Sequence, residues 1–160
     1  MNNEFFYVTL KAATEQDMPV IWQMQVRAFS GLLETYQDYK TNPGAEPLDK
    51  VLARYHQEGT TYYFILAGKE TVGAVRVIDK QDGSRKRISP LWIMPEFRGN
   101  GYAQAAIAAV EGIYGSGNWS LDTILQEKGN LYLYEKMGYH LTGKQEKINS
   151  RMDIVVYEKN

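Results

Sequence analysis

The sequence predicts a mixed α/β (α+β) fold: a mixed, mostly antiparallel sheet flanked by helices, with elements in the order βααβββαβαββ. Three observations carry this. Between residues 61 and 94, β-branched and aromatic runs are punctuated by short turns rich in Gly, Asp and Ser, the pattern of antiparallel hairpins. Two stretches before that meander and one after it repeat apolar residues at helical spacing. A last pair of apolar runs brackets Asn149-Ser150-Arg151, a further hairpin. At 160 residues the chain suits a single domain, residues 1–160, large enough to bury a core without staples.

Phe5 to Lys11 reads as the first strand. Thr14-Glu15-Gln16-Asp17 is a capping sequence, and Pro19 suits the first turn of the helix it opens. That helix runs through Ile21, Met24, Gln25 and Phe29. Gly31 to Pro47, rich in Tyr, Asp, Glu, Asn and Pro, is expected to be irregular, with room for one helical turn. Leu48 to His56 forms a second helix with Leu48, Val51, Leu52 and Tyr55 on one side. Strands follow at Thr61 to Ala67, Thr71 to Ile78 and Arg87 to Met94. The basic run Arg85-Lys86-Arg87 follows Asp82-Gly83-Ser84 and is expected in a solvated turn. A helix from Tyr102 to about Ile113 buries Ala103, Ala106, Ile107 and Val110. Trp119 to Leu125 is a strand, Lys128 to Gly138 a short helix, and Tyr139 to Ile148 and Met152 to Tyr157 close the chain as strands.

The most informative stretch is Met94 to Ala103, MPEFRGNGYA. Its glycines stand at a strand-to-helix turn, where the absence of a Cβ lets backbone approach a ligand closely. The first N–H groups of the helix that follows have no intrahelical partner, and the helix dipole places its positive end there. That combination suits an anion, foremost a phosphate. No Gly-Lys-Ser/Thr closes the turn, so it is not a P-loop. The lone Gly-x-Gly outside a βαβ unit is no dinucleotide fingerprint.

The spacing Arg98-x-x-Gly101-x-Ala103 resembles the Q/R-x-x-G-x-G/A loop of the GCN5-related N-acetyltransferases, the GNAT family. A second block agrees. In Lys128 to Leu141, KGNLYLYEKMGYHL, Asn130 is placed to open the helix, and Gly138 ends it. Asn130 and Tyr134, four apart, share one face. The stretch resembles the family's N-x-x-x-Y-E-K-x-G-F block, with Tyr139 for the final phenylalanine. Taken alone, Tyr134 equally suits a core tyrosine whose hydroxyl bonds locally. Together the two blocks identify the chain as a member of the family, with its acyl-CoA N-acyltransferase fold.

The resemblance implies acetyl-CoA as cosubstrate and direct attack of an amine on the thioester. The backbone of Gly99, Asn100, Gly101, Tyr102 and Ala103 would bind the diphosphate, with the Arg98 side chain assisting it or bracing the loop. Free backbone groups of Trp92, Ile93 and Met94 would line a slot for the pantetheine arm. An N–H near Ile93 would polarise the acetyl carbonyl, a contact that typically lowers a barrier by roughly 3 kcal/mol. Asn130 would help fix the cofactor, and Tyr134 would be the general acid for the leaving thiolate. The general base stays open. The strand before the loop, where many relatives carry a glutamate, has none in Arg87 to Ile93, and Ser89 could at most hold a water. Asp79, Asp122, Glu127 and Glu34 all remain candidates. Pro90 inside that strand implies a bulge or an unpaired edge.

The acceptor is expected to be a primary amine of a small molecule or peptide, cationic in solution. In the family, the segment between the first two helices and the last hairpin loop flank the acceptor. By resemblance it would meet Glu34, Tyr36, Asp38, Tyr39 and Glu46, with Asn149, Ser150 and Arg151 adding polar contacts or instead holding a carboxylate. A homodimer is open. The alternative is a non-catalytic acyl-CoA sensor of the same fold, which would have no need to keep both Asn130 and Tyr134. Zero cysteines leave no disulfide, thiolate nucleophile or Cys-based metal site, and His56 and His140 lie too far apart in sequence to suggest metal ligands. A net charge of −1 and pI near 6.1 give no electrostatic case for nucleic acid. No apolar run suits a membrane span, and MNNEFFYVTL lacks the marks of a signal peptide, so a cytoplasmic location is expected.

Overall fold

The computed structural model describes residues 7–160. Its strands are β1 (Thr9–Ala12), β2 (Thr60–Ala67), β3 (Glu70–Ile78), β4 (Lys86–Ile93), β5 (Trp119–Ile124), β6 (His140–Asn149) and β7 (Met152–Lys159). Its helices are α1 (Met18–Tyr36), α2 (Leu48–Tyr55), α3 (Tyr102–Tyr114) and α4 (Lys128–Lys136). The order βααβββαβαββ is the expected one. Phe5 and Phe6 of the first expected strand lie outside the described residues.

Seven strands form one sheet in the order β1-β2-β3-β4-β5-β7-β6. Every neighbouring pair is antiparallel except β4 and β5. Strand β3 is buried on both faces, which explains its near-continuous apolar run Val72 to Ile78. Toward α3 and α4, the core gathers Val75, Val77, Ile107, Val110, Trp119, Leu121 and Tyr157. Toward α1 and α2 it gathers Met18, Ile21, Val51, Tyr62, Ala74 and Trp92. On α3, Ala105 is buried alongside the expected Ala106, Ile107 and Val110, while Ala103 is only partly so.

Two expectations are corrected. Helix α1 does not stop near Phe29 but runs on through Gly31 to Tyr36, into the stretch read as irregular. A mid-helix glycine costs only about 1 kcal/mol, and remote contacts outweigh it. The buried Tyr36 anchors the last turn, and two of its orphan carbonyls are capped from the β6–β7 turn. Asn149 Nδ2 donates to Tyr36 O at 3.0 Å, and Arg151 Nη1 to Thr35 O at 3.1 Å.

The basic run is not a solvated turn either. Lys86 and Arg87 lie in β4, and all three side chains latch it to its neighbours. Arg85 donates to Trp119 O at 3.2 Å and to Asn160 Oδ1 at 2.7 Å. Lys86 Nζ donates to Gly117 O at 2.8 Å and stands over the Trp119 ring, and Arg87 pairs with Asp122 at 3.2 Å.

Candidate active site

Strands β4 and β5 pair only at Lys86↔Trp119 and Arg87↔Ser120. Beyond Arg87 they part and leave a fork. The bulge expected from Pro90 is present: the β3–β4 register steps from Val75↔Leu91 to Val77↔Ile88, so β4 holds an extra residue. The buried Arg76 guanidinium braces it, donating from Nε to Ser89 O and from Nη1 to Gln57 Oε1 at 3.1 Å.

The direction of the β4 backbone decides which groups the fork exposes. Met94 N–H donates to Val72 O at 2.7 Å, so Met94 faces β3. Alternation along the strand turns Trp92 to β3 as well and leaves Leu91 and Ile93 facing the fork. Two further observations agree. A Cβ on Gly73 would collide with the Trp92 carbonyl oxygen, which must therefore approach β3. The Ile93 carbonyl accepts the Arg98 Nε at 2.9 Å on the fork side. The expectation that Trp92, Ile93 and Met94 all offer free groups is thus corrected. Ile93 keeps its N–H free, Trp92 and Met94 spend their backbone on β3, and Leu91 joins Ile93. The sequence held half of this signal, since alternate residues of one strand cannot all face one side, and the pairing with Val72 supplies the phase.

The turn after β4 is strapped to α1 twice. Arg98 donates from Nη2 to Ala28 O at 2.8 Å, besides its bond to Ile93. Arg27 meets Glu96 with two bonds of 2.9 Å, and that guanidinium pulls the Glu96 carboxyl down to about 2. Both Arg98 bonds are to backbone carbonyls, the bracing role of the two foreseen. Gly99 and Gly101 take left-handed φ of 83° and 81°, a conformation open to glycine at little steric cost. Gly101 is the N-cap of α3. No side chain caps that end, so the N–H groups of Tyr102, Ala103 and Gln104 stay free of the helix. Asn100 folds its side-chain amide back to Phe97 O at 3.0 Å.

Across the fork stands α4. Its N-cap is Glu127, and Asn130 sits in the first turn, donating to Thr123 Oγ1 at 3.3 Å. Gly138 follows the helix end with φ 95°, as expected. Tyr134 packs edge-on to Tyr139 with centroids 6.0 Å apart and leans on Tyr157 at 6.1 Å. Burial alone pushes its phenol up to about 12, with no charged partner contributing. It is therefore protonated and able to donate across the whole neutral range.

Two cavities meet at this place. The larger, about 740 Å³, runs from Leu91, Trp92 and Ile93 past Arg98, Gly99 and Gly101 to Ala103. The smaller, about 240 Å³, lies beside Ser89, Pro90, Asp122, Asp38 and Thr41. Phe29, Leu32, Leu91, Asn130 and Tyr134 line both. Sequence reasoning missed Phe29 and Leu32, which look like core residues of α1 until the fold sets that helix over the fork.

Most of the residues expected to attract a cation have other tasks. Glu46 is buried, accepting from Gln25 Nε2 at 2.9 Å and Arg54 Nη1 at 2.5 Å. Asp38 closes a turn, accepting from the Lys40 and Thr41 N–H groups and the Thr41 hydroxyl. Tyr36 donates to Glu127 Oε2 at 2.5 Å, which pushes its phenol up to about 12. Tyr39 and Glu34 are exposed and line neither cavity. Asn149 and Arg151 cap α1, as described above. His56 lies 3.3 Å from Glu15, and His140 is exposed on β6.

The chain belongs to the acetyltransferase (GNAT) family, which it matches over residues 29–139. Solved structures share the fold at low identity. A spermidine N-acetyltransferase from Vibrio cholerae, in complex with CoA and spermine, is 20% identical with a TM-score of 0.70, covering 94% of this chain and 93% of that one. A Salmonella typhimurium acetyltransferase that modifies the N-terminal serine of a 50S ribosomal subunit protein is 18% identical with a TM-score of 0.70, covering 94% and 92%. The microcin C7 self-immunity acetyltransferase, in complex with acetyl-CoA and AMP, is 17% identical with a TM-score of 0.68, covering 94% and 90%. No curated protein matches this chain in sequence. Among the described residues, no helix is long and apolar enough to cross a membrane.

Proposed function

We propose that this protein moves the acetyl group of acetyl-CoA to a primary amine of a small molecule or peptide, by direct attack within a ternary complex. The observation that carries this reading is the position of Tyr134, a protonated phenol where the two cavities meet. A sensor that only bound acyl-CoA would have no use for a proton donor between a cofactor channel and a second cavity.

The residues fit such a cofactor. The glycine turn and the free N–H groups at the start of α3 suit a diphosphate. The unpaired β4 edge at Leu91 and Ile93 suits an extended arm carrying amides. The free Ile93 N–H suits the thioester oxygen, where charge develops in the reaction. Attack of the amine nitrogen on the carbonyl carbon forms the C–N bond, and the C–S bond then breaks. Tyr134 gives its proton to the departing sulfur, and the proton shed by nitrogen as the amide forms restores the phenol. The amine enters by the smaller cavity. One fold neighbour holds spermine and another acts on a protein N-terminus, so polyamines and peptides both belong among the acceptors to be tried.

The test is a thiol-release assay with acetyl-CoA over polyamines, aminoglycosides, amino acids and short peptides at several pH values. Acetylation of at least one primary amine, faster as the free amine forms, is the expected result. Activity confined to hydroxyl or thiol acceptors would overturn the reading.

A further inference from the structure

An acceptor that is an ammonium in water must lose a proton before it can attack, and β4, from Lys86 to Ile93, holds no acid to take it. The fold separates the four carboxylates left open by the sequence. Asp79 accepts from the Gln81 N–H at 3.0 Å and lines neither cavity. Glu34 lines neither. Glu127 borders the larger cavity and is engaged by Tyr36 at 2.5 Å. Asp122 lines the smaller cavity. The one other acid there, Asp38, has both oxygens occupied within its own turn.

The register of the fork sharpens the assignment. Arg87 pairs with Ser120, the last pair before the strands part. Ser89 on β4 and Asp122 on β5 each lie two residues beyond that pair. Both border the same cavity. Leu121 and Thr123 are buried on one face of β5, and Thr123 accepts from Asn130 there. Asp122 therefore turns to the opposite face, where it is exposed and borders the smaller cavity. Arg87 holds Asp122 Oδ2 at 3.2 Å, and Oδ1 has no protein partner among the described residues. The other titratable groups bordering the smaller cavity are Asp38 from the α1–α2 connection and Tyr134 from α4. Glu158 on β7, opposite Ser120, is held by Arg85 at 3.4 Å.

We propose, resting on the acetyl-transfer reading above, that Asp122 is the general base of this enzyme, acting from β5 across the fork where β4 offers only Ser89. Its free carboxylate oxygen takes one proton from the acceptor ammonium, directly or through a water held by Ser89, and later returns it to solvent. The amine lone pair then attacks, and Tyr134 serves the sulfur. Base and acid thus enter from different elements, β5 and α4, on the two sides of the reacting carbon.

Asp122→Asn tests this with any amine that the wild-type protein acetylates in the panel above. At pH 7 its kcat should fall by about 10²–10⁴-fold, the usual worth of a positioned base. Acetyl-CoA affinity should match wild type, and thermal stability should fall only slightly, since the Arg87 pair it weakens is an exposed one. Its rate should climb about tenfold per pH unit toward the pKa of the amine, closing the gap as solvent supplies the free base, and Asp122→Glu should recover part of the rate. A deficit that is the same at every pH, or a raised KM with unchanged kcat, makes Asp122 a cation-binding or structural residue and overturns the inference. Lost acetyl-CoA affinity in the Asn variant overturns it too. A wild-type protein that acetylates no amine ends both readings, whereas an Asn variant equal to wild type ends this one alone.

Discussion

Arg98 Nη2 reaches the Ala28 carbonyl at 2.8 Å, tying the turn that starts α3 to the middle of α1. The same guanidinium holds Ile93 O at 2.9 Å, so one planar group fixes the end of β4, the glycine turn and the helix above them. Its removal leaves two carbonyls without their charged donor. Arg98→Ala should destabilise the ligand-free protein by roughly 2–4 kcal/mol, since hydrogen bonds to charged groups contribute about 1.5–3 kcal/mol each and water recovers part. Urea unfolding of the ligand-free variant measures this. Unchanged stability with lost acetyl-CoA affinity would instead assign Arg98 to the diphosphate itself.

Gly101 takes φ 81°, and its N–H begins the set that suits a diphosphate. Gly101→Val places a β-branched side chain where that conformation is strained and where the ligand must approach. Calorimetry on the folded variant should show acetyl-CoA binding weakened at least tenfold. Undiminished affinity would remove the turn from the site.

Tyr134→Phe keeps the ring packing on Tyr139 and Tyr157 but removes the proton donor. It should lower kcat by about 10²–10⁴-fold while acetyl-CoA affinity barely changes. With the phenol held up at about 12, the wild-type pH profile should show no loss of this donor below about pH 11. A downturn near pH 10 would show that the hydroxyl is not buried as described.

Glu46 gives a prediction opposite to the one its sequence neighbourhood suggests. It is 6% exposed and bound to Gln25 and Arg54. Glu46→Gln leaves the Arg54 charge without its counter-ion. It should lower stability by about 3 kcal/mol, in the range for a broken buried pair, and leave the acceptor KM nearly unchanged. Thermal unfolding together with steady-state kinetics separates these effects.

Alkaline pH should unfold the protein through its buried phenols. Tyr134 and Tyr157 are pushed up to about 12, and Tyr114 and Tyr139 also upward, chiefly by burial. Between pH 10 and 12 the unfolded chain ionises these groups and the folded chain does not. The folded state then binds more protons, so stability falls as pH rises, by at most about 1.4 kcal/mol per pH unit for each phenol. Denaturant titrations at pH 9, 10 and 11 should show the onset near 10.

The element order and the two blocks around Gly101 and Tyr134 were legible because each is local. Glycine conformation, helix capping and a four-residue spacing are written within a few positions. What the sequence hid is long-range. Helix α1 extends past Gly31 because Asn149 and Arg151, more than a hundred residues on, cap its last turn. Glu46 and Asp38 look like surface acids by composition, yet the fold surrounds one with Gln25 and Arg54 and bends the other into its own turn. The free edge of β4 was misassigned at Trp92 and Met94 because alternation gives two possible phases, and only the pairing with Val72 fixes which holds.

The seam between β4 and β5 is two residue pairs long, with Arg85, Lys86 and Arg87 clasping the same end. Past Arg87 the two strands no longer pair, and an extended chain laid along the free edge of β4 would stand in the place of a strand. The sheet is thus two leaves stitched at one corner, and an extended ligand bonded to both would join them. A ligand present at a hundred times its Kd adds about 2.7 kcal/mol to such a fold. On the acetyl-transfer reading, the protein's lifetime against proteases would follow the supply of its cosubstrate, so scarcity would thin the protein as well as slow it.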